Sequence, residues 1–501
     1  MASVQRPGVY VQEALNPIAT VAGPASNTVA AFIGASDRGP ITPTLVTSWS
    51  DYTTKFGSWN LTAVNDLPIA VYMFFINGGS QAYVTRAVGT GAVIATRTLS
   101  DRAGSPLSTL RIDANSSGTW GNDLNISITD STITDYFNLI VYKGGSTDAD
   151  IVERFVDLTM VTTDARYAVD VINNGSKYIK AVNASSITAA PDNNPDVTSN
   201  QALATGANGA TVVGGNITST LVKYDVINQS LLLNAPGYTD ATTVNGLISY
   251  AEGRSDVFVV VDGKDDTVAN QITLNNTYSA SSQAAVYYPR ITISDPTLGV
   301  GASSNSVKTV GAGGAVMGLY VRTDASRGVY KAPAGLLARI AGAVSVTSLT
   351  NAELDLLNSS PAPANAIKFV SGSGIVVMGA RTLKAGYIDR YVPVRRTLIY
   401  LRKVLTDLTQ FAIFEPNDQA LWRRLNATIT TTLTQFWSEG GLKGGTPSQA
   451  FFVKIDNTNN TQNTIDNGEV NIEVGVALQR PAEFVIIKIG QFDGGTTVTV
   501  A

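Results

Sequence analysis

Phe484 to Ile489, FVIIKI, is an almost continuously apolar run close to the C-terminal end of a 501-residue sequence. A run of this kind reads as a strand covered on both faces, yet few residues follow it to supply the cover. Two readings stand: a central strand of its own domain, or a strand that completes the sheet of another chain. The opposite end poses the same choice. Pro7 to Glu13, PGVYVQE, reads as a short extended segment, set off by a linker-like stretch from Ala14 to Thr28 that contains Pro17, Gly23 and Pro24. A tethered strand is a natural donor to a sheet edge, and a disordered terminus is the plain alternative.

The segment before the apolar run is strongly patterned. Leu398, Leu401, Leu405 and Leu408 recur at helical spacing and predict a helix from near Pro393 to before Phe411. Pro416, Asn417 and Asp418 announce a second helix capped by Asp418, with Leu421, Leu425, Ile429, Leu433 and Phe436 on one face and Gly440 and Gly441 as its stop. This predicts a helical hairpin with one buried seam. Phe451, Val453 and Ile455 then alternate, a polar loop runs from Asp456 to Gly468, and Val470, Ile472, Val474, Val476 and Leu478 alternate again.

Upstream, the character of the chain changes twice. From Thr28 to Val88 it reads as α/β, with strands at Val29 to Gly34 and Ala82 to Ala87 and helices at Ser50 to Phe56 and Pro68 to Asn77. From near Arg97 to Thr220, brief strands such as Leu124 to Ile128 and Phe137 to Tyr142 alternate with polar runs, the longest being Asn183 to Thr220. That pattern predicts a β-rich module with a loop-heavy rim. From Leu221 the α/β pattern returns, with strands at Val257 to Val261 and Ala284 to Ile293 and helices around Thr243 to Glu252, Ser306 to Thr323 and Asn351 to Asn358.

Composition removes most chemistry. The chain has neither cysteine nor histidine, so disulfides, thiolate nucleophiles, Ser-His-Asp catalysis and thiolate or imidazole metal sites are all excluded. Charged residues make up 15% and the net charge is −4, with no basic cluster interleaved with aromatics to take a nucleic acid. No stretch approaches the roughly 18 apolar residues of a membrane span, and no charged segment followed by an apolar run opens the chain. The expectation is a soluble product of the cytoplasm.

Three constellations invite chemistry, and each has a plainer use. Asp262, Asp265 and Asp266 follow a buried strand, but their spacing is not that of a calcium loop, and a solvated strand-end turn is the commoner use of such a pattern. Gly311-Ala312-Gly313-Gly314 precedes a helix without the Gly-Lys-Ser/Thr of a phosphate loop, so tight helix packing is the better reading. The Asp456 to Asn460 loop could hold a cation, and Asn-rich hairpin loops are usually turns. No cofactor is expected.

Nine segments, in order along the chain, resemble the contractile tail sheath proteins of bacteriophages and related injection systems. They are PGVYVQE (7–13), GPITPTLVTSWSDYTTKFG (39–57), GTWGNDLNISI (118–128), RGVYKAPAG (327–335), VVMGARTL (376–383), VPVRRTLIYL (392–401), FEPNDQALW (414–422), AFFVKIDNTNN (450–460) and PAEFVIIKI (481–489). The resemblance implies an α/β, multidomain fold: a subtilisin-like core without protease activity (28–95 and 221–385), an inserted β-rich, sandwich- or barrel-like outer domain (96–220), and an α+β C-terminal domain (386–501), with an N-terminal arm (1–27).

It further implies a non-enzymatic subunit of stacked hexameric rings around an inner tail tube protein, with baseplate and tail terminator proteins as further partners, in a virion tail assembled in the bacterial cytoplasm. Neither nucleic acid nor membrane insertion is expected. The exchanged arms would be Pro7, Gly8, Val9, Tyr10 and Val11 at one end and Phe484, Val485, Ile486, Ile487 and Ile489 at the other. Arg402, Lys403, Arg423 and Arg424 offer positive charge to a tube, or simply a solvated helix face. Trp422 and Trp437 read as packing residues. The sheath of an extracellular injection system, a static shell protein and a degenerate α/β hydrolase are the alternatives, the last opposed by the missing histidine.

Overall fold

The computed structural model describes residues 28–58, 66–294, 307–386 and 390–483. These fall into two compact units, one built from 28–326 and 333–390 and the other from 327–332 and 391–483.

The larger unit starts with β1 (Thr28–Gly34), β2 (Thr44–Val46), α1 (Trp49–Phe56), α2 (Leu67–Ile76) and β3 (Ala82–Arg86). An inserted module follows: β4 (Thr96–Ser100), β5 (Ser108–Ala114), β6 (Leu124–Asp130), β7 (Phe137–Lys143), β8 (Ile151–Leu158), α3 (Ala168–Gly175), β9 (Ile179–Asn183) and β10 (Thr198–Ala202). The unit then continues through α4 (Gly214–Thr218), β11 (Ser230–Asn234), α5 (Ala241–Arg254), β12 (Val257–Asp262), α6 (Val268–Asn275), β13 (Ala284–Tyr288), β14 (Ile291–Ser294), β15 (Val307–Val310), α7 (Gly313–Arg327), β16 (Ala343–Val346), α8 (Asn351–Ser359), β17 (Ala364–Val370) and β18 (Gly374–Val377).

Strands from both sides of the insertion share one sheet, which among the described residues runs β18-β17-β13-β12-β11-β1-β3-β2. Its six inner strands are parallel, and the outermost pairs, β17–β18 and β2–β3, are antiparallel. Every residue of β11, β12 and β13 is buried, as expected where helices cover both faces of a parallel sheet and the strands become near-continuous apolar runs.

One of those covers is the α2–α7 pair. Helix α2 is apolar almost all round, with Leu67, Ile69, Val71, Met73 and Phe74 buried, and α7 crosses it through Gly314 and Gly318. A Cβ on Gly314 would lie 2.1 Å from the Ala70 carbonyl oxygen, and one on Gly318 would lie 2.5 Å from that of Phe74. The backbones touch directly, so the glycine-rich run serves helix packing.

The inserted module is a pair of antiparallel sheets, β4-β5-β9 and β10-β6-β7-β8. One core joins them, with Leu110, Ile112 and Ala181 contributed by the first sheet and Ile126, Leu139, Val141 and Leu158 by the second. The chain enters and leaves through a paired neck, where Val93 bridges Ala207 and Thr96 bridges Ala204.

The smaller unit contains α9 (Val392–Leu408), α10 (Gln419–Ser438), α11 (Pro447–Ala450), β19 (Phe451–Lys454), α12 (Gln462–Asp466) and β20 (Glu473–Val476). Asp418 caps α10, its carboxylate accepting from the N–H groups of Ala420 and Leu421. At the far end Gly440, at φ +83°, and Gly441 donate back to Trp437 and Phe436, a left-handed stop that spends two otherwise open carbonyls. The 327–332 segment belongs to this unit: Val329 is buried in its core, and the Tyr330 ring meets Phe436 edge-on while its hydroxyl donates to the Glu439 carbonyl.

Four expectations need correction. Ala284 to Ile293 is two strands in different sheets, β13 and β14, separated by Pro289 and Arg290. Within the expected helix Ser306 to Thr323, Val307 to Val310 is the strand β15 and the helix α7 starts only at Gly313. The polar loop from Asp456 to Gly468 contains a short helix, started by Thr461 accepting from the Thr464 N–H. The helical hairpin has two seams: Tyr400, Leu401, Ile429, Leu433 and Phe436 form one core, and Leu421, Trp422 and Leu425 form another with Phe411 and Ile465. The stripe of α10 is divided: its later residues pack with both α9 and the β19–β20 hairpin, its first turns with Phe411, Ile455, Ile465 and Val470, while Leu398 and Leu408 are only part-buried.

Gly314→Ala is expected to cost about 3 kcal/mol in urea denaturation, since the atom it would strike is backbone and cannot rotate away. Gly253→Ala, inside α5 with nothing within 4 Å of the added methyl, should instead gain about 0.5–1 kcal/mol.

Candidate functional site

In an open α/β sheet, ligands settle beyond the carboxyl ends of the strands where the strand order reverses. Here that position lies between β1 and β11, and side chains of the protein itself occupy it. Asp262, the last residue of β12, is 2% exposed and accepts from the N–H groups of Gly237 (3.0 Å) and Gly313 (2.6 Å). The second contact places a carboxylate at the N-terminus of α7, the position where a bound anion would otherwise sit. Asn234, at the end of β11, donates to the Val260 carbonyl at 2.8 Å. Beside them Asp66 is buried and paired with Arg290, with Lys308 at 3.9 Å.

Burial raises the Asp262 carboxyl above its ordinary range, opposed in part by the Gly237 N–H, Arg290 and the Gly313 N–H. Asp266, by contrast, is held down to about 2 by Asn270, Lys264 and the Thr267 N–H, and Asp265 is exposed. The three aspartates therefore occupy three different environments, and among the described residues no three acidic side chains converge on a metal position. The Asp456 to Asn460 loop is a stapled turn: Asp456 accepts from Thr458, and Asn460 is buried while it exchanges hydrogen bonds with Asn471 at 2.5 and 2.9 Å.

In the smaller unit the potential site is an edge. β19 and β20 pair antiparallel from Phe451–Val476 to Lys454–Glu473, and among the described residues no third strand joins this sheet. Phe451, Val453, Val474 and Val476 pack one face onto α10. The larger sheet is closed by comparison. Its β18 edge takes hydrogen bonds from the 335–340 segment, where the Gly335 N–H donates to the Val377 carbonyl and the Ile340 N–H to that of Ile375, and its β2 edge is only three residues long.

The four basic residues do not form one set. Arg423 and Arg424 are exposed on α10, the first donating to the Gln419 carbonyl and the second 4.2 Å over the Phe411 ring. Arg402 is half-buried, and Lys403 is buried and paired with Asp407 at 2.6 Å. The i,i+4 pair withdraws the Lys403 charge from the surface, so Lys403 leaves the exposed group. Trp422 and Trp437 are packing residues as expected, their indole N–H groups donating to Asn417 and to the Gly444 carbonyl. Pro7, Gly8, Val9, Tyr10 and Val11, like Phe484, Val485, Ile486, Ile487 and Ile489, lie outside the described residues.

Residues 390–492 match the family model for the phage tail sheath C-terminal domain. A tail sheath protein of Vibrio phage KVP40 is 28% identical over 126 residues, which is 25% of this chain and only 18% of that protein. Solved structures extend the likeness of fold over the remainder. A chain of the anti-feeding prophage baseplate has a TM-score of 0.59 at 22% identity, covering 98% of this chain and 99% of that one. A chain of the sheath complex of an extracellular contractile injection system, in its contracted state, has a TM-score of 0.58 at 23% identity with 98% and 99% covered. The sheath tail protein of Listeria innocua has a TM-score of 0.63 at 14% identity, covering 91% and 96%.

Because its native pKa is raised above the unfolded value of about 3.9, Asp262 contributes stability that is fully present below about pH 4 and lost as pH rises through the native value. Asp262→Asn should remove that slope from a urea-denaturation profile taken across this range and lower overall stability by roughly 2 kcal/mol. A profile parallel to the wild type would assign the slope to another group.

Proposed function

We propose that this chain is the sheath subunit of a contractile tail or injection system: it polymerises helically around an inner tube, and its contraction drives the tube into a target envelope. The observation that carries this reading is the β19–β20 hairpin, a two-stranded sheet in the unit that matches the sheath C-terminal domain. An isolated two-stranded sheet is marginal in water, and open edges accept strands.

The donors are the terminal segments, Pro7 to Val11 and Phe484 to Ile489, entering the hairpins of neighbouring copies. Each backbone hydrogen bond contributes about 1 kcal/mol net, so a four-residue pairing supplies a few kcal/mol per joint, and a lattice multiplies it. Because the linker-like sequence from Ala14 to Thr28 follows the N-terminal donor, that joint would persist while the globular bodies rotate. A head-to-tail contact whose rotation does not close builds an open helix. Two packings of one folded subunit that differ by about a few kcal/mol then suffice to drive contraction without nucleotide.

In this reading the larger unit corresponds to a subtilisin-like body (28–95 and 221–385), catalytically inert because its crevice is filled and the chain has no histidine, with 96–220 as an outer module. Baseplate, tail terminator and tube are the partners, the assembly is a virion or injection-system tail formed in the bacterial cytoplasm, and Arg423 and Arg424 face the tube.

Deleting residues 1–13, or 484–501, is expected to leave a folded monomer by circular dichroism and gel filtration that forms no tubes in negative-stain microscopy; full-length tubes from either deletion would refute strand exchange. Charge reversal at Arg423 and Arg424 should reduce tube-templated assembly severalfold while leaving the melting temperature within a few degrees. Normal assembly of that variant would move the tube contact elsewhere.

A further inference from the structure

A pocket of about 500 Å³ opens in the larger unit between the loop that follows β1, helix α1 and the inserted module. Its volume is that of a small-molecule site, and the loop leaves β1 at the carboxyl edge of the sheet, beside the strand-order reversal. Arg38, Lys55 and Lys177 line it together with Asp51, which pairs with Lys55 at 2.8 Å, and behind the wall the Glu153 carboxylate accepts from the Ser176 hydroxyl and the Lys177 N–H at 2.5 and 2.7 Å. Lys177 is exposed, and Ser116 on the pocket wall accepts from the Gly39 N–H.

Arg38 is the unusual member. It is 5% exposed, and its guanidinium lies 4.6 Å from the Tyr178 ring centre and 5.5 Å from that of Trp120. Nη2 donates to the Thr53 and Thr54 carbonyls at 3.2 and 2.9 Å, which complements the negative end of α1. Nε and Nη1 are buried without an acceptor, and so is Nε1 of Trp120, which also lines the pocket and is 8% exposed. Arg86, whose guanidinium donates to the carbonyls of Ser36 and Ser117, is buried close to the same loop, where the charge of Asp37 acts on it.

An unsatisfied buried donor costs about 1–3 kcal/mol, and more when it is charged. Charge-assisted bonds to an oxyanion are roughly twice as strong as neutral ones. The rings hold the guanidinium in place, so its donors are ordered before any ligand arrives.

We propose that this pocket binds a small oxyanion ligand, an organic acid or a phosphate ester, whose anionic group is held by Arg38 and Trp120 with Lys177 at the rim. The site is independent of the sheath reading, because every group in it belongs to one folded unit.

The test is calorimetric titration of the full chain with inorganic phosphate and, separately, with citrate, at an ionic strength held constant with sodium chloride. Saturable binding of either probe is expected in the millimolar range or tighter, and the tighter probe tells phosphate from carboxylate as the preferred group. Lys177→Glu should weaken binding about tenfold without moving the melting temperature, since its side chain is exposed and reversal adds repulsion at the rim. Arg38→Met should abolish binding, and the Lys177 variant keeps the test decisive if loss of the α1 cap unfolds the Arg38 variant. No saturable heat from either probe up to roughly 50 mM, or equal affinity in Lys177→Glu and wild type, overturns the proposal.

Discussion

The carboxylate of Asp262, clamped between the N–H groups of Gly313 and Gly237, fixes the character of the larger unit. It ties the start of α7 to the end of β12 and so directs α7 across α2, where glycines 314 and 318 let the two backbones touch. The same contact places a buried carboxylate beside the crevice in which an α/β sheet would ordinarily seat a ligand.

The edges are treated differently in the two units. In the larger one, a three-residue strand ends the sheet on one side and the 335–340 segment hydrogen-bonds along the other, which suppresses pairing between copies. In the smaller one, a two-stranded sheet rests on α10 with no third strand among the described residues. If the hairpin takes strands from other copies, as proposed above, self-association is directed to one place.

Much of the C-terminal unit was legible because its signals are local. Asp418 bonds N–H groups two and three residues ahead, and Gly440 and Gly441 reach back to the last turn of α10; both depend on spacing that can be read along the chain. The inner strands were legible too, since a strand covered on both faces has to be apolar throughout. The errors have a common cause. Ala284 to Ile293 stays apolar through Tyr288-Pro289, so the pattern does not register that the chain changes sheets, and Lys403 reads as surface charge until its side chain is found packed down and paired with the exposed Asp407 one turn away.

The sequence by itself determined the alternation of α/β and β-rich segments, the caps and stops of α10, the alternating strands of the hairpin and, through the absence of histidine and cysteine, the loss of most catalytic chemistry. These follow from periodicity and residue type, which act over a few positions. Only the tertiary structure decided that α10 serves two cores, that Asp262 plugs the helix end of α7, and that Arg38 shares a pocket with Trp120 and Lys177. Those contacts join residues far apart in the chain, and their energy arises from burial and from hydrogen bonds left open or closed, which exist only once the distant segments are packed together.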